Sequence, residues 1–324
     1  MQLFKRKAKS STRVGLSLQS DQLILAHLDV RGGQPVLLQG RHKAVESARD
    51  AGKELGKLVR DLELDGKQVS CVLAPKDYQL HLVEAPNVEA DELRSAVRWK
   101  IKDLLEMKVE EAAIDVFPVP DDAYRGRKMV YVVASLKSRI RQLVEQVSEA
   151  GLELAVIDIP ELSMNNVANC FIDDSNGVAF MDLRRTGSTM NISVDGTMYL
   201  TRRINTQLDP DVMQSPEWST MKDRLVLEIQ RSLDYYESQM GRPQINRIVL
   251  AQRQTDSAQL TAELDQLLAA KVSSLDLADS LDTEEELTPQ FQQLGLTAIG
   301  ATLRGLKKAE SESGAAGDGK QEAA

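Results

Sequence analysis

The sequence predicts an α/β protein built from two duplicated lobes, and two stretches carry that reading. In Gly177–Ile204, Val178-Ala179-Phe180-Met181 is a short continuous apolar run, the mark of a strand buried on both faces. Polar turn residues from Arg184 to Ser188 follow, and then Met190, Ile192 and Val194 alternate with Asn191 and Ser193. Asp195-Gly196 is a two-residue hairpin signal, because both turn positions need positive φ. Thr197–Ile204 is the returning strand, so the first strand of a three-strand meander ends in the acid Asp182. The N-terminus repeats this plan with Arg13–Leu18, the turn Gln19-Ser20-Asp21, a strand over Gln22–Leu28, and Gly32-Gly33 turning into Val36–Gln39. Ser17-Leu18-Gln19 then sits where Asp182-Leu183-Arg184 sits in the later copy. A meander followed by helices, occurring twice, predicts duplicated lobes with a cleft between them. Two unrelated hairpins of a common type are the competing explanation.

The remaining elements follow in order. Ala48–Leu62 reads as a helix with Leu55, Val59 and Leu62 on one side, and Gln68–Ala74 as a strand after Asp65-Gly66. Tyr78–Glu84 alternates up to the break at Pro86. Glu89–Met107 reads as an amphipathic helix, with Leu93, Val97, Ile101 and Leu104/Leu105 on one stripe and Glu89, Asp91 and Glu92 suiting its positive end. Ala113–Val119 and Lys128–Ala134 are strands about the turn Asp121–Gly126, and Ser138–Ala150 is a helix stopped by Gly151. Residues from about 68 to 150 therefore form an α+β unit interposed within the first lobe. Leu154–Ile159 is a strand, and Pro160 opens a helix over Glu161–Asn169. The longest helix runs from Ser215 through Met240, its stripe of Trp218, Met221, Leu225, Ile229, Leu233, Tyr236 and Met240 taken as core. Ile245–Ala251 is a strand whose end, the turn Gln252–Asp256, is the edge where open α/β sheets bind ligands. Helix 257–269, strand 271–275, an acidic surface loop over Asp276–Leu287 and the small-residue helix Pro289–Gly305 complete the order.

Composition bounds function. A chain of 324 residues, 42% hydrophobic and 4% aromatic, supports two largely aliphatic cores. A net charge of −9 argues against a nucleic-acid binder. Cys71 and Cys170 are too few and too far apart for a disulfide framework or metal site, which fits a reducing compartment. His27, His42 and His81 are too scattered to be ligands. No apolar run approaches the roughly 20 residues needed to span a bilayer. The start places Leu3 and Phe4 beside four cations. That is either a solvated basic segment or one that touches an anionic membrane, each cation contributing about 1 kcal/mol there.

The order of elements resembles the cytoplasmic actin-like proteins of type IV pilus assembly, PilM and its relatives. Four segments carry the resemblance: Ala90–Val119, Val144–Ile159, Val226–Gly241 and Leu294–Gly305. It implies an actin-like, ribonuclease-H-like fold with an inserted SHS2-type module. On that plan residues 1–12 are a basic segment, 13–165 the first lobe with the insertion at about 68–150, 166–288 the second lobe, 289–308 a closing helix and 309–324 a disordered tail.

Departures from the family pattern bear on activity. Actin-like nucleotide sites need acids to position magnesium, and glycine turns so that backbone N–H groups reach phosphates. The first-loop Asp-X-Gly pattern falls on Ser17-Leu18-Gln19, losing both acid and glycine. The second loop keeps Asp182, with Arg184 in place of glycine and Gly187 and Ser188 further along. The adenosine-loop Gly-Gly step falls on Gln252-Arg253. A degenerate pocket without ATP hydrolysis is therefore expected. The rival is an ATP-driven switch closing around MgATP, helped by cations at Arg184, Arg185, Arg202, Arg203 and Arg253, residues otherwise expected at the exposed ends of strands and turns.

The resemblance also implies a partner, the cytoplasmic tail of a PilN-like inner-membrane protein. The family's groove for it lies between the first lobe and the inserted module, here offered by helix 89–107 with Arg94, Arg98 and Trp99. A cytoplasmic scaffold held at the inner face of the inner membrane is the expectation, and an unrelated peptide- or lipid-binding module the third reading. No Gly-x-Ser-x-Gly or Walker loop supports another enzyme class.

Overall fold

The computed structural model describes residues 12–306, apart from Ser20, Thr186 and Pro210. The basic start, the tail at 309–324 and the turn positions Ser20 and Thr186 lie outside the described residues. None of the described helices is long and apolar enough to cross a membrane.

Two sheets repeat one plan. In the first, β1 (Arg13–Leu18) pairs antiparallel with β2 (Gln22–Arg31), which pairs antiparallel with β3 (Gln34–Ala44). After α1 (Ala48–Asp61), β4 (Gln68–Val72) returns parallel to β1 with Leu16 opposite Cys71. In the second, β9 (Val178–Asp182), β10 (Ser188–Val194) and β11 (Thr197–Ile204) form the meander. After α5 (Trp218–Ser238), β12 (Arg247–Ala251) lies parallel to β9, followed by α6 (Ser257–Leu267) and β13 (Lys271–Leu275). With β8 (Glu153–Asp158) outside β4, the spatial orders β3-β2-β1-β4-β8 and β11-β10-β9-β12-β13 correspond strand for strand. Asp195 and Gly196 take φ of 49° and 75°, as the hairpin requires.

Between the sheets lie α4 (Pro160–Phe171) and α7 (Pro289–Thr302), sharing a core with Ala26, Phe180 and Val249. Glycine makes this layer thin. A Cβ on Gly15 would stand 1.9 Å from the Ala298 carbonyl oxygen of α7, and one on Gly300 would stand 2.1 Å from that of Ser163 on α4. Asn166 Nδ2 caps the contact by donating to the Gly300 carbonyl at 3.0 Å. A helix-interior glycine costs about 1 kcal/mol against alanine, and here the close backbone approach uses it. On the outer faces, α1 and α3 (Lys137–Glu149) cover the first sheet while α5 and α6 cover the second.

The inserted module is a three-stranded sheet ordered β5 (Tyr78–Glu84), β7 (Met129–Leu136), β6 (Ala112–Pro118), with α2 (Leu93–Lys100) on one face. Its other face meets the second lobe. Phe117 stacks on Tyr131 at 5.1 Å, Tyr131 Oη accepts from the Thr201 backbone N–H at 3.0 Å, and Tyr199 Oη donates to Asp122 at 3.0 Å.

Three expectations change. The unit at about 68–150 contracts to 78–136, because β4 hydrogen-bonds into the first sheet and α3 packs beside α1 in the first lobe. The helix expected over 89–107 is helical only from Leu93 to Lys100, since its buried stripe is Val97 and Ile101 alone, and a 3-10 turn over Lys102–Leu104 leaves Leu104 51% exposed. The acidic loop 276–287 buries Leu277, Leu281 and Leu287, and it contributes β14 (Asp282–Thr283), parallel to β3 on the first sheet. Arg31–Glu284 and Arg41–Glu285 ion pairs flank that edge.

Overpacking the thin layer gives the first prediction. Gly300→Ala lowers the unfolding free energy by about 3 kcal/mol in urea titration, because backbone rather than a flexible side chain must give way.

Candidate functional site

Six of the eight sequence-predicted pocket residues lie at the ends of β9 and β12, in the loops that follow them or, for Ser188, at the start of β10. Asp182 closes β9 in the middle of its sheet and is 5% exposed. Arg184 Nε donates to its Oδ2 at 2.5 Å. The loop between them is tied by the Arg184 N–H donating to Ser188 Oγ at 3.2 Å, and by Ser188 Oγ donating to the Thr206 carbonyl at 3.0 Å. Gly187 sits at φ 114°, a conformation only glycine adopts easily.

Arg253 leaves the end of β12, after a half-buried Gln252, and is 3% exposed. Its Nη1 donates to the Leu183 carbonyl at 3.0 Å and its Nη2 to the Asp209 carbonyl at 2.9 Å. Ser257, opening α6, accepts from the Arg253 N–H at 2.8 Å. The guanidinium thus fills the space between the loops after β9, β11 and β12, where an exposed turn residue was expected.

In the first lobe Ser17 is buried on β1, and Gln19 Nε2 reaches its Oγ at 3.5 Å. The turn between them is held from the next layer: Arg139 Nη2 donates to the Leu18 carbonyl at 3.3 Å and Arg139 Nε to Asp77 at 2.9 Å. Arg139 was not singled out in the sequence, because nothing local links the start of α3 to a turn 121 residues earlier.

Three carboxylates are buried here and nearby. Burial pushes the carboxyl of Asp182 above its ordinary range, against the opposing pull of Arg184. Burial does the same to Glu161, which accepts from Tyr78 Oη at 2.5 Å and lies 3.7 Å from Arg203 Nε, and to Asp158, which lies 3.3 Å from Arg304. Among the described residues no group of three or more His, Cys, Asp or Glu is arranged to hold a metal ion.

A second feature lies at the seam between first lobe and module. β6 and β8 are each the outermost strand of their sheets. Between them opens a groove of about 360 Å³, lined by Leu73, Ile114, Val116, Phe117, Ile157 and Leu162 among others, with Asp115, Asp158 and Arg304 as its charged groups. Arg94 pairs with Asp115 at 2.8 Å and so reaches the groove's rim. Arg98 turns inward to its own module, donating to the Val109 and Ala112 carbonyls at 2.5 and 3.3 Å. Trp99 is 68% exposed and does not line the groove. The groove residues carry no local sequence signal, since an outermost strand and an inner one alternate alike.

The raised carboxyls fix the sign of a pH effect. A pKa raised on folding contributes stability that is present below the unfolded pKa and lost as pH rises through the folded value. Asp182→Asn removes one such loss. Its stability relative to the parent chain should therefore improve as pH rises from about 4 to about 7. Urea unfolding across that range checks this; a constant gap would mean that Arg184 fully offsets the burial.

No protein-family model and no curated protein sequence matches the chain. Solved structures do. The PilM-PilN type IV pilus biogenesis complex superposes with a TM-score of 0.70 at 16% identity, covering 91% of this chain and 98% of that one. A Bacteroides thetaiotaomicron protein of actin-like ATPase fold and unknown function superposes with a TM-score of 0.50 at 12% identity, covering 87% and 96%. The cytoplasmic domain of EpsL, an inner-membrane component of the Vibrio cholerae type II secretion system, gives 0.49 at 13% identity, covering 89% and 95%. The chain has the actin-like ATPase fold, in two duplicated lobes with an inserted α+β module.

Proposed function

We propose that the chain is a non-enzymatic scaffold of type IV pilus assembly, a PilM-like protein resembling MshI of the mannose-sensitive haemagglutinin (MSHA) pilus system. In this reading it works in the cytoplasm at the inner face of the inner membrane and docks the cytoplasmic tail of a PilN-like protein. The seam groove carries the docking part, because it offers apolar pockets beside two outermost strands to an extended segment. The likeness of fold to a PilM-PilN complex agrees with it.

The pocket at Asp182 supports the absence of hydrolysis. Magnesium and phosphate need an acid with free lone pairs and backbone N–H groups that ligand can approach. Asp182 already accepts from Arg184, and the Arg253 guanidinium occupies the space beside it, donating to loop carbonyls. The residues present do not fit MgATP. The ATP-driven switch keeps one observation in its favour, the retention of Asp182 at the end of the central strand.

Two measurements test this. Excess MgATP should leave the melting temperature unchanged, whereas a ligand at about a hundred times its Kd would add roughly 2.7 kcal/mol; an upward shift would restore the switch. A peptide copying the tail of the cognate PilN-like protein should bind in fluorescence titration. Val116→Glu, a charge placed in the groove, should weaken it at least tenfold, on the order of 1.4 kcal/mol, with the fold intact by circular dichroism. Unchanged affinity would move the docking site elsewhere.

A further inference from the structure

The helix α1 carries two glycines that the chain's own packing does not use. A Cβ on Gly52 would meet nothing within 4 Å, and one on Gly56 would meet only the Arg60 guanidinium, at 3.5 Å. This is the opposite of Gly15 and Gly300, where backbone stands in the way. Ala48, Gly52 and Gly56 follow one another at intervals of four, a single row along the helix. They line a groove of about 670 Å³ between α1 and α3.

The rim of this groove reverses the sign of the molecule. Arg49, Lys53, Lys57 and Arg60 edge it from α1, all exposed, against the single carboxylate Glu149, on a chain of net charge −9. Lys57 pairs with Glu54 on its own helix, while Arg49, Lys53 and Arg60 have no ion pair among the described residues. The opposite wall is Gln142 and Gln146. Gln146 Nε2 donates to the Ala48 carbonyl at 2.7 Å, and its Oε1 is shielded from solvent without a partner.

We propose that this groove docks an acidic helix of a protein partner. The row of small residues lets a second helix bring its backbone close, and carboxylates repeating every fourth position on that helix would meet Arg49, Lys53 and Lys57 at the same spacing. An anionic membrane is the poorer fit. Membrane-surface helices set apolar residues beside their cations on a projecting face, whereas this face is concave and lined by amides, glycine and Glu149. The site shares no lining residue with the seam groove.

The test uses the full chain, ¹⁵N-labelled, titrated with a capped helical peptide of alanine with glutamate at every fourth position. Controls are the same peptide broken by a central proline, and phosphatidylglycerol vesicles. Resonance shifts should gather at 48–60 and 142–149, and Lys53→Glu with Arg60→Glu should weaken binding at least tenfold. Gly52→Ala should raise the melting temperature while weakening the peptide, because the added methyl suits the helix and obstructs the guest. Equal binding of the proline-broken peptide, binding to vesicles without the peptide, no shifts at these residues, or a lowered melting temperature for Gly52→Ala would each overturn the proposal.

Discussion

The two sheets are joined through a helical layer in which two backbone contacts leave no room for a Cβ. α7 lies against β1 where Gly15 faces the Ala298 carbonyl, and against α4 where Gly300 faces the Ser163 carbonyl. Each glycine lowers local helix or strand propensity, and each is offset by burying apolar neighbours such as Leu296, Ile299 and Val167. The thickness of this layer sets how far apart β1 and β9 stand. A single methyl on either glycine acts as a wedge at the centre of the molecule.

Three buried carboxylates show the cost of burying charge in this fold. Asp182, Glu161 and Asp158 are withdrawn from water, and each has a cation or hydroxyl within reach. Breaking such a pair is more costly than making it is favourable, so Arg184 and Asp182 act as a unit. Arg253 instead spends one donor of each terminal nitrogen on a loop carbonyl, while its Nε stays buried without a partner. The Arg253 guanidinium thereby ties the loops after β9 and β11 to the end of β12.

Much of this was legible in the sequence, and the failures have physical causes. The duplicated meander was readable because period-two alternation and Asp195-Gly196 are local signals, and the spatial strand orders bear the duplication out. The stripe of α5 was readable for the same reason: Leu225, Ile229 and Tyr236 are buried. The extent of the insertion was not, because the parallel pairing of β4 with β1 joins residues more than fifty positions apart. Acidic composition over 276–287 concealed three buried leucines that anchor it. At the cleft the residue types were visible, and Asp182 and Arg184 are near neighbours in the chain. The burial of Arg253 was not visible, because it depends on two carbonyls 70 and 44 residues away. The seam groove depends on which strands end their sheets, a property of topology rather than of any one segment.

The return of the chain to its first lobe has a consequence for synthesis. β14 completes the edge of the first sheet, and α7 seals the inner face of β1 and β2, yet both come after the whole second lobe. A nascent chain emerging from the ribosome therefore carries a first lobe whose inner face stays uncovered until residues 282–302 are made. Until then those early strands lack the packing that α7 gives them, and an apolar face exposed in that interval favours association between nascent chains. The order in which the chain is made and the order in which it can close are thus opposed, and the first sheet gains its inner cover only when α7 arrives.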